Sequence, residues 1–99
     1  MRKRVLIIGN TSDLPGVEMD IQNYYTFFTS SIGGYWFDNE IIVRENINRH
    51  QFDVLSQDLI TQDLGYMIIV FTGHGFNRGN QTFLELNNDE VISVDELKY

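Results

Sequence analysis

One histidine in this chain stands where residue types and spacing could support catalysis. His74 lies between Gly73 and Gly75, directly after the apolar run 67–71. A neutral imidazole can accept or donate a proton near neutral pH, and the Gly75 N–H can donate to a developing oxyanion. Flanking glycines also let a substrate approach the backbone closely. The pattern therefore indicates a catalytic histidine, with a turn histidine that has no catalytic role as the alternative.

The elements that must position His74 follow the pattern of an α/β protein. Apolar runs alternate with amphipathic stretches, which predicts a three-layer sandwich with a mostly parallel sheet. The third run is the most apolar, so we expect it to be the central strand. In a parallel sheet, functional groups collect beyond the carboxyl ends of the strands, and His74 follows the third. The predicted strands are 4–8, 41–43, 66–71 and a short one at 82–86, with a Gly-rich loop after His74.

Two helices are predicted from apolar residues that recur at helical spacing. The first begins at Val17 and ends at the Gly33–Gly34 pair, and the second begins after the capping residue Asn48. Ser93 and Glu96 have the spacing of a capping box, which predicts a third helix start. The predicted buried faces comprise Val17, Ile21, Tyr24, Tyr25, Phe28 and Ile32 in the first helix, and Phe52, Leu55 and Leu59 in the second.

Length and charge restrict the classes of function. With 99 residues, of which 42% are hydrophobic, the chain is expected to form a single domain over residues 1–99. Its net charge of -7 repels phosphate backbones and anionic headgroups, so neither nucleic acid nor a membrane is an expected partner. The apolar run 5–8 is too short for a signal-peptide core or a membrane span, which favours a cytoplasmic location.

Other kinds of site find little support in the sequence. His50 lies at a predicted helix start, where a solvated polar residue is usual, and Gly9 lacks the glycine spacing of phosphate-binding loops. The two histidines and scattered carboxylates show no zinc-ligand spacing. We therefore predict neither a metal nor a cofactor. The chain contains no cysteine, which excludes a disulfide and a cysteine nucleophile within it.

The order of these parts resembles the beginning of the caspase-like cysteine peptidases, and in particular the metacaspase branch. The resemblance covers about residues 4–97, and its most specific element is an apolar strand ending in Thr-Gly-His-Gly. The segments that carry it are RVLIIGN, LPGVEMD, IIV, YMIIVFTGHG, LELNND and ISVDEL. It implies the caspase-like sandwich, here incomplete, and a protein or peptide substrate.

The resemblance also implies roles for particular residues. His74 would be the catalytic histidine and Gly75 the backbone donor to the oxyanion. The segment from Leu14 to Asp20 is similar to the metacaspase pattern Leu-x-Gly-Cys-x-x-Asp, with valine in place of the cysteine. In that pattern the aspartate lines the pocket for a basic side chain, and Thr72 would border the same pocket. Cleavage after arginine or lysine is the implied specificity.

The family's nucleophilic cysteine, which follows the next strand, is absent from this chain. A first hypothesis is that the chain is the N-terminal, His-bearing part of a peptidase, inactive alone, whose nucleophile comes from a companion segment or chain. A second is a non-catalytic half domain that acts as a regulator or scaffold through a partner chain. A third is a small flavodoxin-like or receiver-like domain, although the expected phosphoacceptor position holds Thr-Gly-His.

Overall fold

The structure is a computed structural model that describes residues 2–11, 16–62 and 64–97. Strands and helices alternate in its first part, whereas short strands follow one another in its second. Two short 3₁₀ turns, Asp38–Glu40 and Val94–Leu97, complete the described elements. The strands and helices are β1 (Lys3–Gly9), α1 (Val17–Thr29), β2 (Ile41–Glu45), α2 (Arg49–Thr61), β3 (Tyr66–Thr72), β4 (Gly75–Arg78), β5 (Gln81–Glu85) and β6 (Val91–Ser93).

The main sheet is parallel and has the strand order β2-β1-β3. Val5 lies between Ile41 of β2 and Ile68 of β3, and Ile7 lies between Val43 and Val70 in the same way. The expectation that the third strand is central was wrong, because β1 takes that place among the described strands. β1 is buried over its last five residues, whereas six of the seven residues of β3 are exposed or half-buried.

Helices cover both faces of this sheet. Val5 and Ile7 point toward α1 and pack with Val17, Ile21 and Phe28. The alternate residues of β1 point the other way and pack with α2 and with the segment after β5. That second core comprises Leu6, Ile8, Ile47, Phe52, Leu55, Leu59, Leu86 and Ile92. The mixed α/β architecture with a parallel three-stranded sheet confirms the predicted fold class and is compatible with an incomplete caspase-like sandwich.

The first helix is shorter than its pattern predicted. It ends at Thr29, and the chain then turns back through Gly34, which has φ +108°. Ile32 therefore lies beyond the helix and is 86% exposed, and Tyr24 is also exposed, so both were wrongly placed on the buried face. The cap of α2 was predicted correctly, because the Asn48 side chain accepts from the Gln51 N–H and the Gln51 side chain accepts in return.

The segment predicted as a Gly-rich loop is largely a strand. β4 pairs antiparallel with β5, and the hairpin turns at Gly79–Asn80 between the paired residues Arg78 and Gln81. Gly79 has φ +62°, a left-handed conformation that glycine adopts without steric cost. A Gly-Asn pair between two short runs is a hairpin signal, so the sequence contained the information. Where a helix was expected after Ser93, the described residues form the 3₁₀ turn Val94–Leu97, and the last two residues of the chain lie outside the described part.

Candidate active site

The carboxyl ends of β1 and β3 meet at one edge of the sheet. The Asn10 N–H donates to the Thr72 carbonyl at 3.0 Å, and both residues are buried polar residues. From β1 the chain continues to β2, which lies on one side of β1 in the sheet. β3 lies on the other side of β1. In open α/β sheets, ligands bind at such a divergence beyond the strand carboxyl ends. His74, two residues beyond Thr72, lies at this edge.

The first helix contributes a carboxylate to the same edge. The Thr72 hydroxyl donates to Asp20 Oδ2 at 3.1 Å, across 52 positions of sequence. Asp20 lies in the first turns of α1, where its N–H donates to the Gly16 carbonyl. Asp20 is exposed to solvent. The structure therefore brings together the two residues that the resemblance assigned to one substrate pocket. Thr72 fixes one carboxylate oxygen while the side chain remains accessible from solvent.

Two hydrogen bonds join Thr11, which follows β1, to Asn46, which follows β2. Asn46 Oδ1 accepts from the Thr11 N–H at 2.8 Å, and the Asn46 amide donates to the Thr11 hydroxyl at 2.7 Å. The Asn46 N–H also donates to the Gly9 carbonyl at 2.8 Å, and Asn46 has φ +53°. Asparagine tolerates this conformation better than most residues. Sequence reasoning missed this contact, because a single asparagine after a strand does not reveal its partner.

His74 is presented to solvent on a constrained backbone. His74 is exposed to solvent. Within residues 2–11, 16–62 and 64–97, its imidazole makes no hydrogen bond or ion pair. The preceding Gly73 has φ +147°, and a Cβ there would lie 3.2 Å from the Asn10 Cβ and from the Phe71 ring. Any other residue would be strained at this φ, and its Cβ would also crowd Asn10 and Phe71.

The N–H of Gly75 points away from the hairpin partner. The Glu85 N–H donates to the His74 carbonyl at 3.0 Å, which makes His74 and Glu85 a hydrogen-bonded pair. Directly opposed residues in an antiparallel ladder alternate between bonded and non-bonded pairs. Gly75 is opposite Leu84, so this pair is non-bonded and the Gly75 N–H faces away from β5. The donor is thus available beside His74.

The comparisons with known proteins identify the family. The family model described as caspase domain matches residues 2–99. The chain belongs to the caspase domain family. Neither the curated proteins nor the solved structures with which the chain was compared gave a match.

The segment from Leu14 to Asp20, which was compared with the metacaspase pattern, is only partly described in the structure. Leu14 and Pro15 lie outside the described residues, and Gly16 directly precedes α1. Val17, at the position of the motif's cysteine, is 3% exposed and packs in the core beneath α1. The valine therefore contributes to packing. Asp20, about one helical turn further along α1, lies at the sheet edge.

The other histidine of the caspase domain lies on a different element. His50 is in the first turn of α2 and lines a groove with Arg44 and Val54. None of the three pockets described in the mapped part of the chain includes His74.

In the described part of the chain, neither helix has the length and apolar character needed to cross a membrane.

Proposed function

We propose that this caspase domain supplies the catalytic histidine and the basic-side-chain pocket of a metacaspase-like cysteine endopeptidase. The observation that carries the proposal is the hydrogen bond from Thr72 to Asp20 at the sheet edge from which His74 projects. A carboxylate oriented at the same sheet edge as an exposed imidazole suits the cleavage of a peptide after arginine or lysine. The nucleophile comes from a companion segment or chain, and the proposed location is the cytoplasm.

The reaction assigns one step to each group. His74 takes the proton of the companion's cysteine thiol, and the thiolate attacks the scissile carbonyl carbon. The Gly75 N–H, which faces away from β5, donates to the resulting oxyanion. The C–N bond then breaks, and His74 returns the proton to the leaving amine. Water hydrolyses the thioester in a second cycle of the same groups.

Among the described strands β3 pairs only with β1, and its open edge supports the position of the companion. Because the Thr72 carbonyl accepts from β1, backbone groups of alternate residues face β1, and those of Met67, Ile69 and Phe71 face outward. β3 contains no charged residue that would oppose pairing. A strand added in parallel here ends at the same edge as β3, so a cysteine at its carboxyl end stands beside His74.

The basic-side-chain preference follows from the charge and position of Asp20. Its carboxylate has one oxygen fixed by Thr72, and a fixed carboxylate favours the bidentate pairing that a guanidinium provides. An acidic side chain at the same substrate position would be repelled by Asp20. The carboxylate thus supplies both the attraction and the repulsion that specificity requires.

The proposal is tested with the chain joined to its companion segment, using paired peptidyl-arginine and peptidyl-aspartate coumarin amides. Active wild type should cleave the arginine substrate, and His74→Ala should reduce kcat at least about 100-fold. His50→Ala, on α2, is the matched control and should retain activity. Asp20→Asn should reduce kcat/KM for arginine by roughly tenfold or more and leave kcat for a neutral substrate unchanged.

Two results would contradict the proposal. Full activity in His74→Ala would exclude its catalytic role, and an unchanged arginine preference in Asp20→Asn would exclude the pocket. A folded chain that binds its companion but yields no cleavage in wild type would instead favour the non-catalytic half domain.

A further inference from the structure

The sheet has a second open edge, which lies on the far side from β3. In the described part of the chain, β2 pairs only with β1. The Asn46 N–H donates to the Gly9 carbonyl, so the backbone groups of every second residue face β1, and those of Ile41, Val43 and Glu45 face outward. One of these outward groups is engaged, because Arg44 Nη1 donates to the Val43 carbonyl at 2.9 Å.

A groove of about 520 Å³ runs beside this edge on the α2 face of the sheet. Its apolar part comes from Ile47, Leu55 and Val54, and Val54 is 55% exposed although it is aliphatic. Arg44 and His50 add two nitrogen-bearing side chains, and neither makes an ion pair with a described residue. The Asp58 carboxylate also lines the groove and accepts from the Gln62 side chain at 3.1 Å. The groove thus combines an apolar surface with a guanidinium that no described carboxylate pairs, in a chain of net charge -7.

We propose that β2 and this groove form a docking site for an extended protein segment carrying an acidic and an apolar residue two positions apart. The open edge supplies main-chain pairing, and the groove receives side chains of the added strand, as in other cases of β-strand addition. Alternate residues of a strand face the same side. The acidic side chain therefore pairs with Arg44 while the apolar one covers Val54.

Arg44 links the two halves of the site. In the free chain its guanidinium blocks the outward carbonyl of Val43, which protects the edge from unspecific pairing. When the segment binds, its carboxylate forms an ion pair with the Arg44 guanidinium, which then no longer donates to the Val43 carbonyl. That carbonyl becomes free to accept a hydrogen bond from an N–H of the added strand. A segment without a carboxylate leaves the block in place, so the arginine selects the partner by charge.

A second copy of the chain does not satisfy the same chemistry. Antiparallel self-pairing of β2 about Val43 would place Ile42 of one copy opposite Arg44 of the other. Ile42 packs against the α2-side core and provides no carboxylate. The structure therefore favours a partner segment of different sequence.

The site is tested by adding the capped peptide Thr-Thr-Glu-Thr-Leu-Thr-Thr to the full chain. Binding is measured from the changes in the backbone amide chemical shifts of the chain. Shifts should appear at Ile41, Val43 and Glu45 and along α2, and the peptide with glutamine in place of glutamate should bind roughly tenfold more weakly. Arg44→Ala should lose about as much affinity for the glutamate peptide but none for the glutamine peptide, because the variant also frees the Val43 carbonyl. Arg78→Ala, an exposed arginine on β4, is the control and should bind as wild type.

The apolar part of the site has its own matched pair. Val54→Asp should weaken the glutamate peptide about tenfold, whereas Ile60→Asp, on an equally exposed residue of α2 outside the groove, should not. No peptide-dependent shift at about 1 mM peptide, the weak end of specific binding, would overturn the proposal. So would shifts confined to β3, equal losses for both peptides in Arg44→Ala, or β2 shifts that follow chain concentration without peptide.

Discussion

Gly9 and Ile21 are in such close contact that a Cβ on Gly9 would force the Ile21 side chain to move. A Cβ placed on Gly9 would lie 2.5 Å from the Ile21 Cδ1 and 3.3 Å from the Val17 Cγ1. Both partners are buried residues of α1. The glycine at the carboxyl end of β1 therefore sets how closely α1 approaches the sheet, and α1 carries Asp20 to the candidate site.

Gly9→Ala should destabilise the chain by about 1–2 kcal/mol, because Ile21 must leave its packed rotamer. Ile21→Val removes the clashing Cδ1, so the double variant should be less destabilised than the sum of the single variants. Urea unfolding measures all three. Gly16→Ala is the control, since a Cβ there has open space at φ -81°; strict additivity in the cycle would refute the contact.

Thr72→Val should cost about 1 kcal/mol, because it removes a hydroxyl that donates to a carboxylate while keeping the side-chain shape. Thr72→Ser retains the hydroxyl bonded to Asp20 at 3.1 Å and should keep most of that contribution. Chemical denaturation compares the variants. Thr82→Val, whose hydroxyl bonds only within the hairpin to Asn77, should change stability by less than about 0.5 kcal/mol. Equal effects at the two threonines would contradict the importance of the Asp20 contact.

Gly79→Ala should destabilise the hairpin by about 1–2 kcal/mol, because φ +62° places the new Cβ against its own backbone. Apart from Gly79 itself and its two chain neighbours, no described residue has an atom within 4 Å of that position, so the cost is conformational and does not come from crowding by other residues. Gly79→Asn should cost less, since asparagine tolerates the left-handed region. Thermal unfolding gives the ranking, and an alanine variant as stable as the asparagine variant would oppose this explanation.

Stability should fall at acidic pH through Glu96. Burial alone would raise its pKa, but the Ser93 N–H and the Arg49 guanidinium outweigh burial and hold the pKa below its usual range. A lowered carboxyl pKa stabilises the fold above the unfolded-state pKa of about 4.3, and that stabilisation disappears as pH falls through the lower folded-state value. Because the pair is partly solvated, the contribution should stay below about 1 kcal/mol.

The Glu96 contribution is measured as unfolding free energy against pH. Glu96→Gln should lose stability at neutral pH and show a smaller decrease between neutral and acidic pH than the parent. Glu18→Gln, an exposed glutamate of α1, is the charge-matched control. Parallel pH curves for the parent and Glu96→Gln would show that the Arg49 contact does not contribute.

Local sequence signals were sufficient for most elements. The apolar runs predicted β1, β2 and β3, and the apolar face of α2 was correct at Phe52, Leu55 and Leu59. These predictions succeed because periodicity and capping act within one or two turns of chain. Gly79–Asn80 was an equally local signal that was overlooked, so β4 was predicted as loop.

The sequence by itself determined the types of β1, α1, β2, α2 and β3, the Asn48 cap and a glycine-flanked His74 after a strand, because each depends on near neighbours. The tertiary structure decided that β1 and not β3 is central, since apolar content does not specify which strands pair. It alone brought Thr72 to Asp20 across 52 positions and turned the Gly75 N–H away from β5. Such contacts depend on sheet register and on helix packing, which no short stretch of residues encodes.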